Sequence, residues 1–477
     1  MEVALTGRRH RTLDEFLVSR RFVVMASVAF GVFFFGFATK WTFDPWTIGT
    51  FWPGHFFSAQ ADAMLHGRFW IERSQLPGEC IFVDDRCTGY FGLAPSVARL
   101  PLVVLLGIER SEMTGLFLAV AAGVALWAAL DLCRRVLTRE GLGADGWAAG
   151  YMVVAAVVLG PGGVLMLVSD PYVYQEAILW AVAATAVGAN LFWRWWVERR
   201  HRQFVGATIA LIVAAASRPT AALIGVVLAI AALWTLARAR SLSRRAVVGA
   251  LGLALLPGVV MVAGFYAKFG EPLPPAKGYE GFDYVYVARV IKNNGGEFGP
   301  SVRFIPTTAF AYIRPDTLKF SSGWPPVEFR FGRPFGNEDM ERITYFPPLA
   351  RDSLNVERNV SLTNVMPLPL AATVAAVVSI LRRRRNRFEL AILAALATMP
   401  VIMLTTQAVA SRYLGDVFPL VAVGTAFGAA LLGPFRRLRW VAQYVVFLVV
   451  VVLTVVSVPV VLWLATQYNW VYRGGIK

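Results

Sequence analysis

Eleven apolar runs, each close to the length of a membrane crossing, alternate along the chain with polar breaks; they lie at about 22–41, 113–132, 147–168, 173–193, 204–217, 220–236, 246–267, 365–381, 388–408, 413–433 and 440–465. A bilayer core of about 30 Å takes roughly 20 helical residues, and inside it every backbone polar group must be paired within the chain. The pattern therefore predicts an all-α polytopic membrane protein with about 11 transmembrane helices. Two breaks are too long to be turns, residues 42–112 and 269–364. Near the end of the first, Leu102 to Ile108 is apolar but short and follows Pro95 and Pro101, which suits a juxtamembrane or re-entrant piece rather than a crossing. The chain thus divides into an N-terminus at 1–21, a membrane module at 22–268 that includes the loop at 42–112, a cap loop at 269–364, and C-terminal helices with a short tail at 365–477.

Composition agrees with the pattern: 57% of the 477 residues are hydrophobic, 16% are charged, and mean hydropathy is +0.57, which excludes a soluble protein. The net charge of +16 raises the question of a nucleic-acid partner. The basic residues, however, cluster directly after apolar runs, in Arg134-Arg135, Arg194 to Arg202, Arg238 to Arg245, Arg382 to Arg387 and Arg436 to Arg439. Alternating the crossings from a cytosolic N-terminus puts all these bursts inside, so topology and anionic headgroups explain the charge and no nucleic acid is expected. Both long loops and the tail from Gln467 then lie outside. The first run follows a polar basic stretch without a small-residue cleavage site, and is expected to stay as a signal anchor.

Within the first loop, Phe56 to Leu65 reads as a short helix between Pro53 and Gly67. His55, Asp62 and His66 fall within about 40° of one another on it, an ionisable stripe. The stripe reads either as the wet side of an interfacial helix or as part of a site that needs a further acid or base. Cys80 and Cys87 share the loop and can close a disulfide ring in an oxidising space; two cysteines alone make no structural zinc site. Asp84-Asp85 reads as a solvated turn, or as a contact for a divalent metal.

Ionisable side chains at or inside spans are costly and mark candidate sites. Asp170, in the short turn Ser169-Asp170-Pro171-Tyr172, serves equally well as an N-cap or as a catalytic carboxylate. Glu176 lies one turn deeper, beyond any capping role, and must find a cation, a hydroxyl or a cavity. Arg218 and Arg412 sit at outer turns, against the positive-inside trend, so each should hold a partner: Asp416 or Glu176 as an ion pair, or a phosphate gripped by the planar guanidinium. No phosphate-binding glycine fingerprint of a nucleotide site occurs.

Several short motifs, in order along most of the chain, resemble the polytopic polyprenyl-phosphate-sugar-dependent glycosyltransferases of the GT-C superfamily. Within it the likeness is to the bacterial envelope proteins related to the protein mannosyltransferase and lipid A aminoarabinose transferase group. The motifs are His55-Phe56-Phe57 leading to Ala61-Asp62-Ala63-Met64-Leu65-His66-Gly67-Arg68, then Tyr90-Phe91-Gly92 with Pro95 and Leu100-Pro101, and Tyr174-Gln175-Glu176-Ala177-Ile178. Arg218-Pro219-Thr220 follows, then Tyr266 with Lys268-Phe269-Gly270-Glu271-Pro272 and Gly278-Tyr279, and Arg412-Tyr413 with Pro419.

The resemblance implies a GT-C-like arrangement of helices in the bacterial cytoplasmic membrane, a catalytic acid in the first outer loop, and a second one at Asp170. It also implies arginines on the lipid phosphate and a cap loop shaping the acceptor site. Glu176, Arg218, Arg412 and Tyr413 are the expected substrate-binding residues. Family members carry an acidic pair where this chain has Pro53-Gly54-His55, so the base stays open among Asp44, Asp62 and His55. The implied reaction is an inverting transfer from a polyprenyl-phosphate sugar to an envelope glycan, lipid or protein, in which the base takes the acceptor proton and arginine stabilises the departing phosphate. No certain cofactor follows. A transporter or flippase of a lipid-linked saccharide is the alternative, and would need ionisable residues near the midplane and the inner side.

Overall fold

The computed structural model describes residues 13–46, 56–76, 78–143, 145–169, 173–238, 240, 243–275, 301–315, 317–320, 327–329, 355–356, 360–383, 387–405, 408–409 and 411–466. It is a predominantly helical, multi-pass membrane protein. Among the described residues, eight helices are long and apolar enough to cross a membrane.

In chain order, α1 (Arg20–Ala38) leads into the first loop, which holds α2 (Phe56–Leu65), a hairpin of β1 (Cys80–Val83) and β2 (Arg86–Gly89), and α3 (Ala94–Ser111). Next come α4 (Thr114–Arg139), α5 (Gly146–Leu159), α6 (Val173–Glu198), α7 (His201–Ser217), α8 (Ala222–Arg238) and α9 (Arg244–Phe269). Helix α5 runs on through a wide π turn at Gly160–Val164 to Val168. Within the cap interval lie α10 (Ile305–Ile313), β3 (Leu318–Phe320), β4 (Val327–Phe329), β5 (Asn355–Val356) and α11 (Leu362–Val365). The chain closes with α12 (Pro367–Arg383), α13 (Arg387–Leu396), α14 (Thr398–Leu404), β6 (Ala408–Val409), α15 (Leu414–Gly428) and α16 (Trp440–Thr466).

Each apolar run of the sequence is mainly helical over its described residues, and local chemistry sets the ends. The Ser19 and Ser243 hydroxyls accept from the amides of Phe22 and Ala246, the Asp145 carboxylate accepts from Trp147, and α9 stops at Gly270 with φ 70°. The centre of the bundle is α4 and α6, whose buried faces are rich in alanine, so the backbones approach closely without a water-driven hydrophobic force. In α6, 83% of the most apolar window is buried, against 11% in α16, which therefore faces lipid along most of its length.

Two ends of the bundle are distinct. At one, the pairs Arg135–Glu198, Arg139–Glu389 and Arg436–Asp145 gather the charged tips of α4, α5, α6 and α13 with the turn after α15; this is the basic face. The first loop packs over the other, the loop face. There Cys80 and Cys87 are joined by a disulfide across the β1–β2 hairpin. Asp84 and Asp85 form its two-residue turn, with φ 49° and 60°, the left-handed pair that such a hairpin demands. In α3, Gly107 (φ 78°) interrupts the helix, while Val104, Leu105 and Leu106 are exposed, as suits a piece lying in the interface.

The described part of the cap interval is folded onto the bundle: Phe304, Ala311, Tyr312 and Val360 join the main core, and β5 pairs in parallel with β6. The rest of that expected cap, the N-terminal residues 1–12 and the tail from Gln467 lie outside the described residues.

Gly92 marks the tightest approach of the loop to the helices. A Cβ there would meet the carbonyl oxygen of Ala216 and the backbone of Ser217 well inside van der Waals contact. Gly92→Ala is expected to cost about 1–3 kcal/mol by overpacking, read as a lower unfolding temperature in detergent. An unchanged unfolding temperature would show that the loop does not seat on the end of α7.

Candidate functional site

The site begins where α7 stops. Proline at 219 disfavours the helical conformation at the residue before it, and Arg218 is extended (φ −147°, ψ 120°). Its Nη2 donates to Oδ2 of Asp416 at 2.6 Å, in the first turn of α15, where the carboxylate is fully buried. A short 3-10 turn, Ser411–Tyr413, precedes α15 and brings two more side chains in. The Arg218 guanidinium lies 5.4 Å from the Tyr413 ring centre, and that of Arg412 lies 5.2 Å from Tyr413 and 4.3 Å from Tyr174 at the start of α6. Two guanidiniums thus flank the Tyr413 ring, and Arg218 holds the Asp416 carboxylate. Arg218 Nε, Thr220 Oγ1 and Asp416 Oδ1 are buried and unpartnered, and an unpartnered buried polar atom costs about 1–3 kcal/mol.

Tyr174 carries the site into the first loop. Its hydroxyl lies 2.7 Å from that of Tyr90, which lies 2.9 Å from Oε2 of Glu79. A carboxylate only accepts and each hydroxyl has one proton, so Tyr90 donates to Glu79 and Tyr174 donates to Tyr90. Lys268, buried at the end of α9, donates from Nζ to the carbonyls of Gly89 (3.0 Å) and Phe91 (2.5 Å), fixing the backbone on both sides of Tyr90. The Tyr90 ring stacks on Phe91 at 4.5 Å between centres, and Phe91 meets Tyr174 edge-on.

Beneath this group lies a buried ion cluster. Arg99 of α3 grips both oxygens of Glu176, Nη1 on Oε1 and Nη2 on Oε2 at 2.9 Å, with Glu112 at 3.6 Å and the Thr114 hydroxyl at 3.3 Å. The Phe117 ring covers the guanidinium at 4.1 Å. Glu176, expected among the substrate-binding residues, is paired with Arg99. Its two oxygens are taken by Arg99 in full burial, so it locks α3 to α6 and holds Tyr174, two residues earlier, in register.

The other expected residues divide clearly. Arg218, Arg412 and Tyr413 come together. Asp62 and His66 face each other on α2 at 3.7 Å, with Arg68 at 3.8 Å from Asp62, and Asp44 accepts from the Trp46 amide in an exposed turn. These contacts stay within the first loop. His55 and Asp170 lie outside the described residues. Among the described residues no group of three or more His, Cys, Asp or Glu side chains is set to hold a metal, and Asp84-Asp85 forms the hairpin turn.

Sequence reasoning missed Glu79, Arg99 and Lys268. For Arg99 and Lys268 a signal existed: each is a lone charge in an apolar setting, the same criterion that picked out Glu176. Glu79 had none, since a carboxylate in a polar loop is unremarkable until its partner is known. No protein-family model matches the chain, and none of the curated proteins with which it was compared matches it.

Proposed function

We propose that the protein is a GT-C-type glycosyltransferase of the bacterial cytoplasmic membrane, with eleven crossings and its loop face outside the cell. It moves a sugar from a polyprenyl-phosphate donor to an envelope glycan, lipid or protein. The reading is supported by the family resemblance of the motifs and, above all, by one observation: beside the Arg218–Asp416 pair, Arg218 Nε and Thr220 Oγ1 are buried without hydrogen-bond partners, in a group that also holds Arg412 and Tyr413. A phosphate supplies both the charge and the acceptors, and a guanidinium takes it in a bidentate way.

In the proposed reaction the acceptor hydroxyl attacks the anomeric carbon as a base takes its proton. The bond to the lipid phosphate breaks with inversion, and the departing phosphate keeps the electron pair beside the arginines. Glu79 joins Asp44, His55, Asp62 and Asp170 as a candidate base. It is favoured because Tyr90 and Tyr174 link it to Arg412. Against the transporter reading, every ionisable side chain on the described helices of the bundle lies within about two turns of a helix end.

The test is transfer of radiolabelled sugar from a panel of synthetic polyprenyl-phosphate sugars by purified protein in lipid. Glu79→Gln should lower turnover by about 10²–10⁴ with donor binding kept, while Asp44→Asn and Asp62→Asn stay near wild type. If no donor is consumed while labelled lipid crosses the bilayer, the protein is a transporter. If Glu79→Gln is silent and another acid is not, the base is that acid.

A further inference from the structure

At the basic face, where α6 turns into α7, the arginines are too many for their carboxylates. Asp131 is held by Arg134 at 2.8 Å and by Arg135 at 2.7 Å. Glu198 is shared by Arg135 at 3.3 Å, Arg200 at 3.5 Å and Arg194 at 3.7 Å, and it also accepts from Gln203 at 2.7 Å. Four guanidiniums therefore converge on two carboxylates, and each repels the others. A fifth, Arg199, lies over the Trp196 ring, 3.9 Å from its centre, with its backbone in the left-handed region (φ 57°). Trp196 in turn stacks on Phe388 at 4.2 Å, so the ring that carries Arg199 is itself fixed. Arg194 Nε is buried without a hydrogen-bond acceptor, although its neighbour Arg200 is 58% exposed and the cluster opens to the surface.

We infer that this cluster is a binding site for the phosphate of an anionic phospholipid headgroup. Arg194, Arg199 and Arg200 would ring the phosphate, and Trp195 and Trp196, half-buried at the end of the span, meet the glycerol and upper acyl region. Arginine suits a phosphodiester because its fork gives two parallel bonds, and tryptophan suits the zone where a lipid turns from polar to apolar. Free phosphate would satisfy the same charges but makes no use of the paired tryptophans at the level of the membrane interface. The organising carboxylate, Glu198, keeps the arginines in place when the lipid leaves. This site is at the opposite end of the bundle from Arg218 and stands or falls independently of the transferase reading.

The experiment uses the full chain in bilayer discs of phosphatidylcholine containing a minor share of phosphatidylglycerol, and measures which lipid is retained through detergent extraction. Wild type should retain phosphatidylglycerol in preference, and Arg194→Gln with Arg200→Gln should lower that preference about tenfold or more. Arg437→Gln with Arg439→Gln, on another exposed basic stretch, should leave it unchanged. The single change Arg199→Gln, at a side chain that touches no carboxylate among the described residues, guards against a fold defect in the double variant and should also reduce retention. Equal loss in all variants would reduce the effect to general surface charge. Equal retention in all, or full displacement by inorganic phosphate at matched ionic strength, would overturn the inference.

Discussion

Arg99→Met is expected to destabilise the protein by about 3–5 kcal/mol, enough to remove most folded material from the membrane fraction. The reason is asymmetric desolvation. Arg99 is fully buried, and so are Glu176 and Glu112; methionine fills much of its volume but leaves both carboxylates without a cation, facing Phe117 and Phe57. Glu176→Gln should be far milder, because the guanidinium keeps Glu112, the Thr114 hydroxyl and the amide oxygen. Arg99→Met with Glu176→Met should recover much of the loss, since an apolar pair of similar size leaves only Glu112 to satisfy, and Thr114 already donates to it. Size-exclusion profiles after graded heating give the order: wild type, Glu176→Gln, the double variant, then Arg99→Met. Arg99→Met as stable as wild type would mean that α3 is not anchored through this pair.

The same cluster marks the limit of what the chain discloses by itself. Apolar runs locate the helices because a bilayer imposes one length and one composition. Even so, α4 extends past its run at 113–132 to Arg139, where charged residues continue a helix in the headgroup region. Leu102 to Ile108 was legible as a short apolar piece, and it lies in a helix interrupted at Gly107. That its helix starts at Ala94 and turns Arg99 inward was not, because the partner, Glu176, is 77 residues away.

Arg218 and Asp416 were legible as partners, since both are charges at outer turns and each needs the other; the structure joins them across 198 residues. The link from Glu79 to the bundle was illegible. Asp62 stands on a helix with a clear periodicity, yet its contacts are local, while Glu79 beside Cys80 has no pattern and reaches Tyr174 through Tyr90. Periodicity reports which face of a helix is wet; it carries no information about which loop residue meets a side chain on a distant span.

Arg218→Gln is expected to cut sugar transfer by about 10²–10³, the scale of losing one donor to a developing oxyanion. The guanidinium donates to Asp416 through Nη2, and Nε is buried without a partner, open to the proposed phosphate. Glutamine retains a donor but neither the charge nor the fork. If the phosphate is held equally before and during bond breaking, the loss falls on KM; if the arginine meets charge that grows as the sugar departs, it falls on kcat. The second outcome follows from the proposed chemistry, because the leaving phosphate gains charge only as the anomeric bond breaks. Removing Arg218 also strands a buried carboxylate, so the variant must be compared with Arg218→Gln combined with Asp416→Asn, which neutralises the stranded group and restores the fold. A transfer defect that persists in the folded double variant belongs to the arginine. A defect that vanishes there would make Arg218 and Asp416 a structural pair, and would leave Arg412 to hold the phosphate without it.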